Sequence, residues 1–224
     1  MNTPILQTTA DGSSTLFVPD LNESYHSVNG AITESRHIFL DAGLHALNIP
    51  AESINVLEIG FGTGLNAFLT ALESEKINTI IYYTGIELFP LSSDIVNQLN
   101  FNDEKGVFYK IHETSWEVYN KISDCFFLRK IEVDFTHFQP DEKYDLIYFD
   151  AFSPKVQPEL WTESLFRKLF ETMNVGGIIT TYCAKGQVRR NMQQAGFRVE
   201  RLPGPPGKRE MLRGEKYPIA KKNW

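Results

Sequence analysis

The sequence predicts an α/β fold, a mostly parallel seven-stranded sheet with helices on both faces, preceded by a hairpin-and-helix extension. Three observations predict it. From residue 53 onward, short apolar runs alternate with helical segments; the first run ends in a glycine-rich turn; and acidic residues stand at the ends of later runs. Strands joined by helical crossovers pair in parallel and are covered on both faces, so they read as continuous apolar runs.

The elements follow in order. Residues 5–18 alternate loosely about Asp11-Gly12, a type I′ turn signal, and predict a hairpin. Residues 30–48 place Ile32, Phe39, Leu40, Leu44 and Leu47 at helical spacing, which predicts one helix ending before Pro50. These segments form an extension, residues 1–50, ahead of a domain of residues 51–224. Within that domain the pattern gives a strand from Ser53, a helix over 65–75, a strand over 79–87 and a helix from about Pro90 to Leu99. A helix around 113–123 leads to a strand near 128–134, and YDLIYFD (144–150) is a buried strand. Residues 158–173 read as a single amphipathic helix with an early proline. GGIITTY is the next strand, followed by a helix over 186–195. GFRVERL and KREMLRG, joined by PGPPG, form an antiparallel edge pair.

Composition narrows the function classes. Hydrophobic residues make up 42% and charged residues 22%, as in ordinary globular domains. No apolar run approaches the ~18 residues of a membrane span, and the first residues lack a basic start followed by an apolar core. Cys125 and Cys183 are far apart and read as reduced core residues, so the expected location is cytoplasmic. The five histidines have no metal-ligand spacing, and neither a serine elbow nor a P-loop occurs. Net charge is -6, but residues 181–224 hold 11 Lys or Arg against 3 Glu, whereas residues 1–180 hold 11 against 25 acids. Such asymmetry suits either a phosphate-facing surface or a solvated basic tail.

The first strand of the domain ends in Glu58-Ile59-Gly60-Phe61-Gly62-Thr63-Gly64. Glycines let the chain turn sharply and bring backbone close to a ligand. The dinucleotide fingerprint needs its third glycine at position 65, where Leu65 stands. A ligand with an adenosine but no diphosphate therefore fits better than a dinucleotide. Glu87, Asp134 and Asp150 end the next three strands. Glu87 can accept from both ribose hydroxyls, and Asp134 can meet an adenine amino group with Phe135 against the ring. The constellation resembles the class I, Rossmann-like methyltransferases over roughly residues 53–200, which implies S-adenosylmethionine as cofactor. Asp150-Ala151-Phe152-Ser153-Pro154 looks like the Asp/Asn-Pro-Pro-aromatic loop of enzymes that methylate amino groups, with one proline only and the aromatic before it. A carboxylate and a backbone carbonyl there would orient an amine and accept its proton.

Five ordered segments extend the resemblance: YHSVNGAITESRHIFL, VLEIGFGTGLN, DLIYFDAFSPKVQPELWT, TYCAKGQVRRNMQQAGF and PGPPGKREML. Together they are similar to the MnmC-type tRNA methyltransferase domain, which methylates the 5-aminomethyl group of the wobble uridine. The resemblance implies Asp150 as the catalytic residue and cofactor contacts from Glu34, Glu58, Gly60, Phe61, Gly62, Gly64, Asn66, Glu87, Asp134 and Phe135. It implies substrate contacts from Phe152, Ser153, Pro154, Lys185, Arg189, Arg190, Lys208 and Arg209. Tyr25, Glu34 and Arg36 lie on a segment able to fold over the cofactor pocket, or are ordinary helix surface and packing, and Trp161 is expected in the core rather than against a base. The expected partner is tRNA, with no metal and no membrane. With no second glycine fingerprint, a separate enzyme is expected to supply the aminomethyl group. The competing expectations are a small-molecule amine methyltransferase, an aminopropyl transferase of the same fold, and a non-catalytic tRNA-binding module.

Overall fold

The computed structural model describes residues 3–48, 52–101, 103 and 106–217. An eight-stranded sheet has the order β10-β11-β9-β8-β4-β5-β7-β6. Its strands are β4 (Ser53–Ile59), β5 (Ile80–Glu87), β6 (Asn120–Lys121), β7 (Phe126–Glu132), β8 (Tyr144–Phe149), β9 (Met173–Thr181), β10 (Arg198–Pro203) and β11 (Glu210–Glu215). The run β9-β8-β4-β5-β7 is parallel, and β11 is antiparallel to both β9 and β10. The predicted sheet is thus present, with the two-residue β6 added antiparallel at one edge.

Alternate side chains of each strand enter separate cores. Tyr148, Tyr83 and Val56 face α2 (Leu65–Lys76) and α4 (Val107–Glu113) in one layer. Ile147, Phe149 and Ile179 face α5 (Glu163–Thr172) and α6 (Gly186–Ala195) in the other. The extension forms a small antiparallel sheet, β1 (Ile5–Thr8), β2 (Ser14–Val18) and β3 (Glu23–Ser24), and then α1 (Ala31–Ser35).

Five local expectations are corrected. The hairpin loop is not type I′: Gly12 N–H bonds Thr9 C=O and only Gly12 has positive φ, while Asp11 accepts from Ser13 and Thr33. The single helix over 30–48 is α1, then a π-helical turn over Arg36–Asp41, then a 3₁₀ turn over Leu44–Ala46; Pro50 lies outside the described residues. The wider π turn lets the consecutive residues Ile38, Phe39 and Leu40 all be buried. The helix expected from Pro90 to Leu99 shrinks to α3 (Ser93–Val96), because the chain beyond it is tied to the hairpin through Asn100, which bonds Ser14 and Gly12. The helix expected at 113–123 lies earlier, as α4. The Lys130 ammonium reaches in from β7 and donates to the Ile111 and His112 carbonyls, capping that helix at its end. The helix expected over 158–173 is split by Thr162, whose hydroxyl accepts from Leu165 N–H and starts α5 anew after a 3₁₀ turn.

Candidate active site

A cavity of about 860 Å³ opens at the carboxyl ends of β4, β5, β7 and β8, roofed by the extension. That volume lies within the ~300–1,000 Å³ of small-molecule and cofactor sites. Sheet order sets the positions of its acids. Asp134, Glu87, Gly60 and Asp150 stand at the carboxyl ends of four neighbouring strands, and the two outer strands, β7 and β8, are about 14 Å apart, three strand spacings.

The glycine turn forms the floor. Gly60, Gly62 and Gly64 all have positive φ, and a Cβ on Gly60 would lie 2.7 Å from the Asp150 carbonyl oxygen. Glu87 holds the turn: its Oε2 accepts from Gly62 N–H at 2.9 Å, while Oε1 accepts from Leu88 and Phe89 N–H at 2.9 Å each. At the outer end Asp134 engages Thr136 N–H and hydroxyl through Oδ1 alone, which holds its carboxyl below the usual carboxylate range. Phe135 is buried beside it.

The opposite end carries the unusual electrostatics. Burial pushes the Asp150 carboxyl up to about 8, and the neighbouring Glu34 carboxylate adds to the shift; the Asn66 hydrogen bond and Lys208 oppose it. Asn66 Nδ2 donates to Asp150 Oδ2 at 2.9 Å and to Glu58 Oε1 at 2.8 Å. Glu58 has no exposed surface, and burial raises its pKa well above the usual carboxylate range. The Tyr83 hydroxyl lies beside it without closing a well-formed hydrogen bond. Lys208 Nζ pairs with Glu34 Oε1 at 2.6 Å and sits 4.1 Å from the Tyr182 ring centroid. The Tyr182 hydroxyl donates to Ala151 C=O at 2.9 Å, and Trp161 Nε1 donates to Phe152 C=O at 2.9 Å. These bonds fix the loop after β8 from behind, and Trp161 is a core residue as expected.

Residues 127–217 match the family described as S-adenosyl-L-methionine-dependent methyltransferase. Over most of the chain, a tRNA 5-methylaminomethyl-2-thiouridine biosynthesis bifunctional protein MnmC from Idiomarina loihiensis is 31% identical, covering 86% of this chain and 35% of that protein. Its namesake from Delftia acidovorans is 29% identical, covering 88% and 33%. The chain is thus similar over most of its length to MnmC proteins, and residues 127–217 match a methyltransferase family. The crystal structure of MnmC2 from Aquifex aeolicus shares the fold, with a TM-score of 0.81 at 24% identity over 98% of this chain and 72% of that one. The chain spans about a third of the length of the two curated relatives.

The cofactor of this methyltransferase domain is S-adenosylmethionine, and the cavity fits it. The glycine floor lets a ligand approach the backbone, and Glu87, Asp134 and Asp150 stand at the three other strand ends around it. The buried Glu34, paired with Lys208 through Oε1, stands at the cavity wall.

Of the residues singled out in the sequence, Glu34, Gly60, Phe61, Gly62, Asn66, Glu87, Asp134, Phe135, Asp150, Phe152 and Lys208 line the cavity. Glu58 stands behind Asn66, and Gly64 sits under the turn against His112. Ser153 points to Glu23, bonding its Oε1 at 2.7 Å. Pro154, Lys185, Arg189, Arg190 and Arg209 lie outside the cavity wall. Tyr25 lines the cavity and packs edge-on to Phe152, with ring centroids 5.2 Å apart, whereas Arg36 is exposed. His26, bonded to the Thr63 hydroxyl at 2.6 Å, and Tyr182 belong to the wall without having been singled out for it. Both sit inside segments shared with the MnmC-type pattern, which was the signal available.

Among the described residues no group of three or more His, Cys, Asp or Glu is arranged to hold a metal ion, and no helix is long and apolar enough to cross a membrane.

Proposed function

We propose that this domain transfers a methyl group from S-adenosylmethionine to the primary amine of 5-aminomethyl-2-thiouridine at the tRNA wobble position. The observation that carries the reading is Asp150, a half-desolvated carboxylate at the end of β8, at the far side of the cavity from Asp134. In this reading Asp134 and Phe135 take the adenine, Glu87 the ribose, and the glycine turn the cofactor's remaining chain. The bound cofactor supplies an electrophilic sulfonium methyl. Asp150 orients the acceptor amine, and its raised pKa suits it to take one proton from the entering ammonium, freeing the nitrogen lone pair before the new N–C bond forms. The neighbouring carboxylate Glu34 favours a cationic amine entering this end, and Lys208 keeps that charge in check.

The basic carboxyl-terminal segment supports tRNA as the acceptor. Leu212 pairs with Thr181, so the β10–β11 turn lies at the same sheet edge as the cavity mouth. That turn carries Lys208 and Arg209, while Lys185 is the N-cap of α6 and Arg189 and Arg190 lie in its amino-terminal half. Phosphate contacts from such residues position a nucleic acid without reading its sequence. The MnmC relatives take part in 5-methylaminomethyl-2-thiouridine biosynthesis by name, which supports the same acceptor. Methyl transfer consumes an amine and does not create one, so a separate activity releases the aminomethyl group. A tRNA acceptor places the domain in the cytoplasm. The test is Asp150→Ala: cofactor affinity is retained and methyl transfer to tRNA is lost. Loss of cofactor binding with an unchanged transfer rate at saturation would instead put Asp150 in the cofactor shell.

A further inference from the structure

We propose that Asn66, held in one orientation by Ser35 of the extension, is a positioning residue that clamps one oxygen of Asp150 and turns the other toward the acceptor amine. The inference rests on the reading of Asp150 given above and assigns Asn66 to the carboxylate rather than to the cofactor.

The geometry is fully specified. The Asn66 amide has one acceptor oxygen and two N–H groups. The Ser35 hydroxyl donates to Asn66 Oδ1. The two N–H groups go to Glu58 Oε1 at 2.8 Å and Asp150 Oδ2 at 2.9 Å. Asn66 is 3% exposed and Ser35 is 1% exposed, so water does not compete for these groups. A flipped amide would set its carbonyl against two carboxyl oxygens and lose both donations. Glu58, with no exposed surface, acts as the fixed post on the far side.

The consequence falls on Asp150. With Oδ2 occupied by Asn66, only Oδ1 remains for the cavity, and among the described residues it has no partner. One carboxylate oxygen is therefore committed to structure and one to chemistry. Oδ1 takes one proton from the entering ammonium, and the freed nitrogen lone pair then forms its bond to the methyl carbon as the sulfonium S–C bond breaks. The clamp also makes the extension part of the site. Ser35 follows Glu34 directly in α1, so one helical turn supplies both the anchor for the clamp and the carboxylate beside Asp150.

The test uses the full chain with Ser35→Ala, Asn66→Ala and Asn66→Asp, each checked for an unchanged circular dichroism spectrum. Cofactor Kd, tRNA KM, kcat and the pH profile of kcat are measured. A mispositioned base costs up to about 100-fold in rate. The expected result for Asn66→Ala is a kcat lower by about 10- to 100-fold, with Kd and KM within about threefold of wild type. The alkaline-rising limb of its profile moves to higher pH, because Asp150 loses a hydrogen bond that favours its charged form. Asn66→Asp moves the limb further, since it adds a like charge beside the carboxylate. Ser35→Ala, which leaves every partner of Asp150 in place, lowers kcat in the same direction by a smaller factor and remains informative if the Asn66 variants fail to fold. A weakened cofactor Kd with kcat and pH profile unchanged would overturn the proposal and return Asn66 to cofactor binding. If Asp150→Ala itself kept full activity, the underlying reading of Asp150 would fail. If Asp150→Ala were inactive while Ser35→Ala and both Asn66 variants matched wild type, only the clamp would fail.

Discussion

Asp150→Asn tests the electrostatics of the site through stability. The carboxyl is pushed up to about 8, chiefly by burial and then by Glu34. In the unfolded chain it titrates near the ordinary Asp value of about 3.9. Between those values the native state holds a proton that the unfolded state has released, so folding stability falls as pH rises. Below about pH 4 the penalty is absent, and above about 8 it levels off. At pH 7 the difference of about three pH units corresponds to a ceiling of about 4 kcal/mol, and water entering the cavity reduces it to roughly 1–3 kcal/mol. Asparagine is isosteric and carries no charge, and its oxygen still accepts from Asn66. The variant should therefore be more stable than wild type at pH 7 to 8, by about 2–4 °C per kcal/mol for a domain of this size, while methyl transfer is lost. Thermal melts of the cofactor-free protein at pH 5, 7 and 9 make the comparison. The gap should be smallest at pH 5 and largest at pH 9. Equal melting temperatures at all three values would show an ordinary ionised carboxylate and refute the reasoning.

Three other outcomes follow from the same geometry. Glu87→Ala removes the acceptor of Gly62, Leu88 and Phe89 N–H, and equilibrium dialysis should show cofactor Kd weakened by about 10- to 100-fold, the worth of one or two hydrogen bonds to a charged group. Gly60→Ala places a Cβ 2.7 Å from the Asp150 carbonyl at a positive φ, and denaturant melts should register a loss of about 1–3 kcal/mol. Lys208→Ala leaves Glu34 unopposed beside Asp150, so the rising limb of the kcat–pH profile should move to higher pH, and Glu34→Gln should move it to lower pH.

The sheet was legible in the sequence because its strands are buried on both faces and read as unbroken apolar runs such as YDLIYF. The glycine turn and the acids after it were legible for a related reason: strand ends in a parallel sheet converge on one edge, so order along the chain becomes order in space. Helix limits were harder to read, because tertiary contacts set them. Lys130 ends α4 from a strand well downstream, and Asn100 ties the segment after α3 to the hairpin. Neither partner is visible in local periodicity. The pairing of Glu34 with Lys208 was hidden in the same way, since the two stand at opposite ends of the chain. Asn66 read as a cofactor contact through the resemblance of VLEIGFGTGLN to the MnmC-type pattern. Only the fold brings Ser35, Glu58 and Asp150 around it and reveals its amide as saturated by protein.

The most direct test of the account is methyl transfer to its proposed acceptor. The protein is incubated with methyl-labelled S-adenosylmethionine and tRNA from cells lacking this methyltransferase, and the digested nucleosides are separated. Label on the side-chain nitrogen of the wobble 5-aminomethyl-2-thiouridine is the predicted result. Cofactor binding without label on tRNA would contradict the tRNA assignment and redirect the search to small amines, and failure to bind the cofactor would contradict the account at its base.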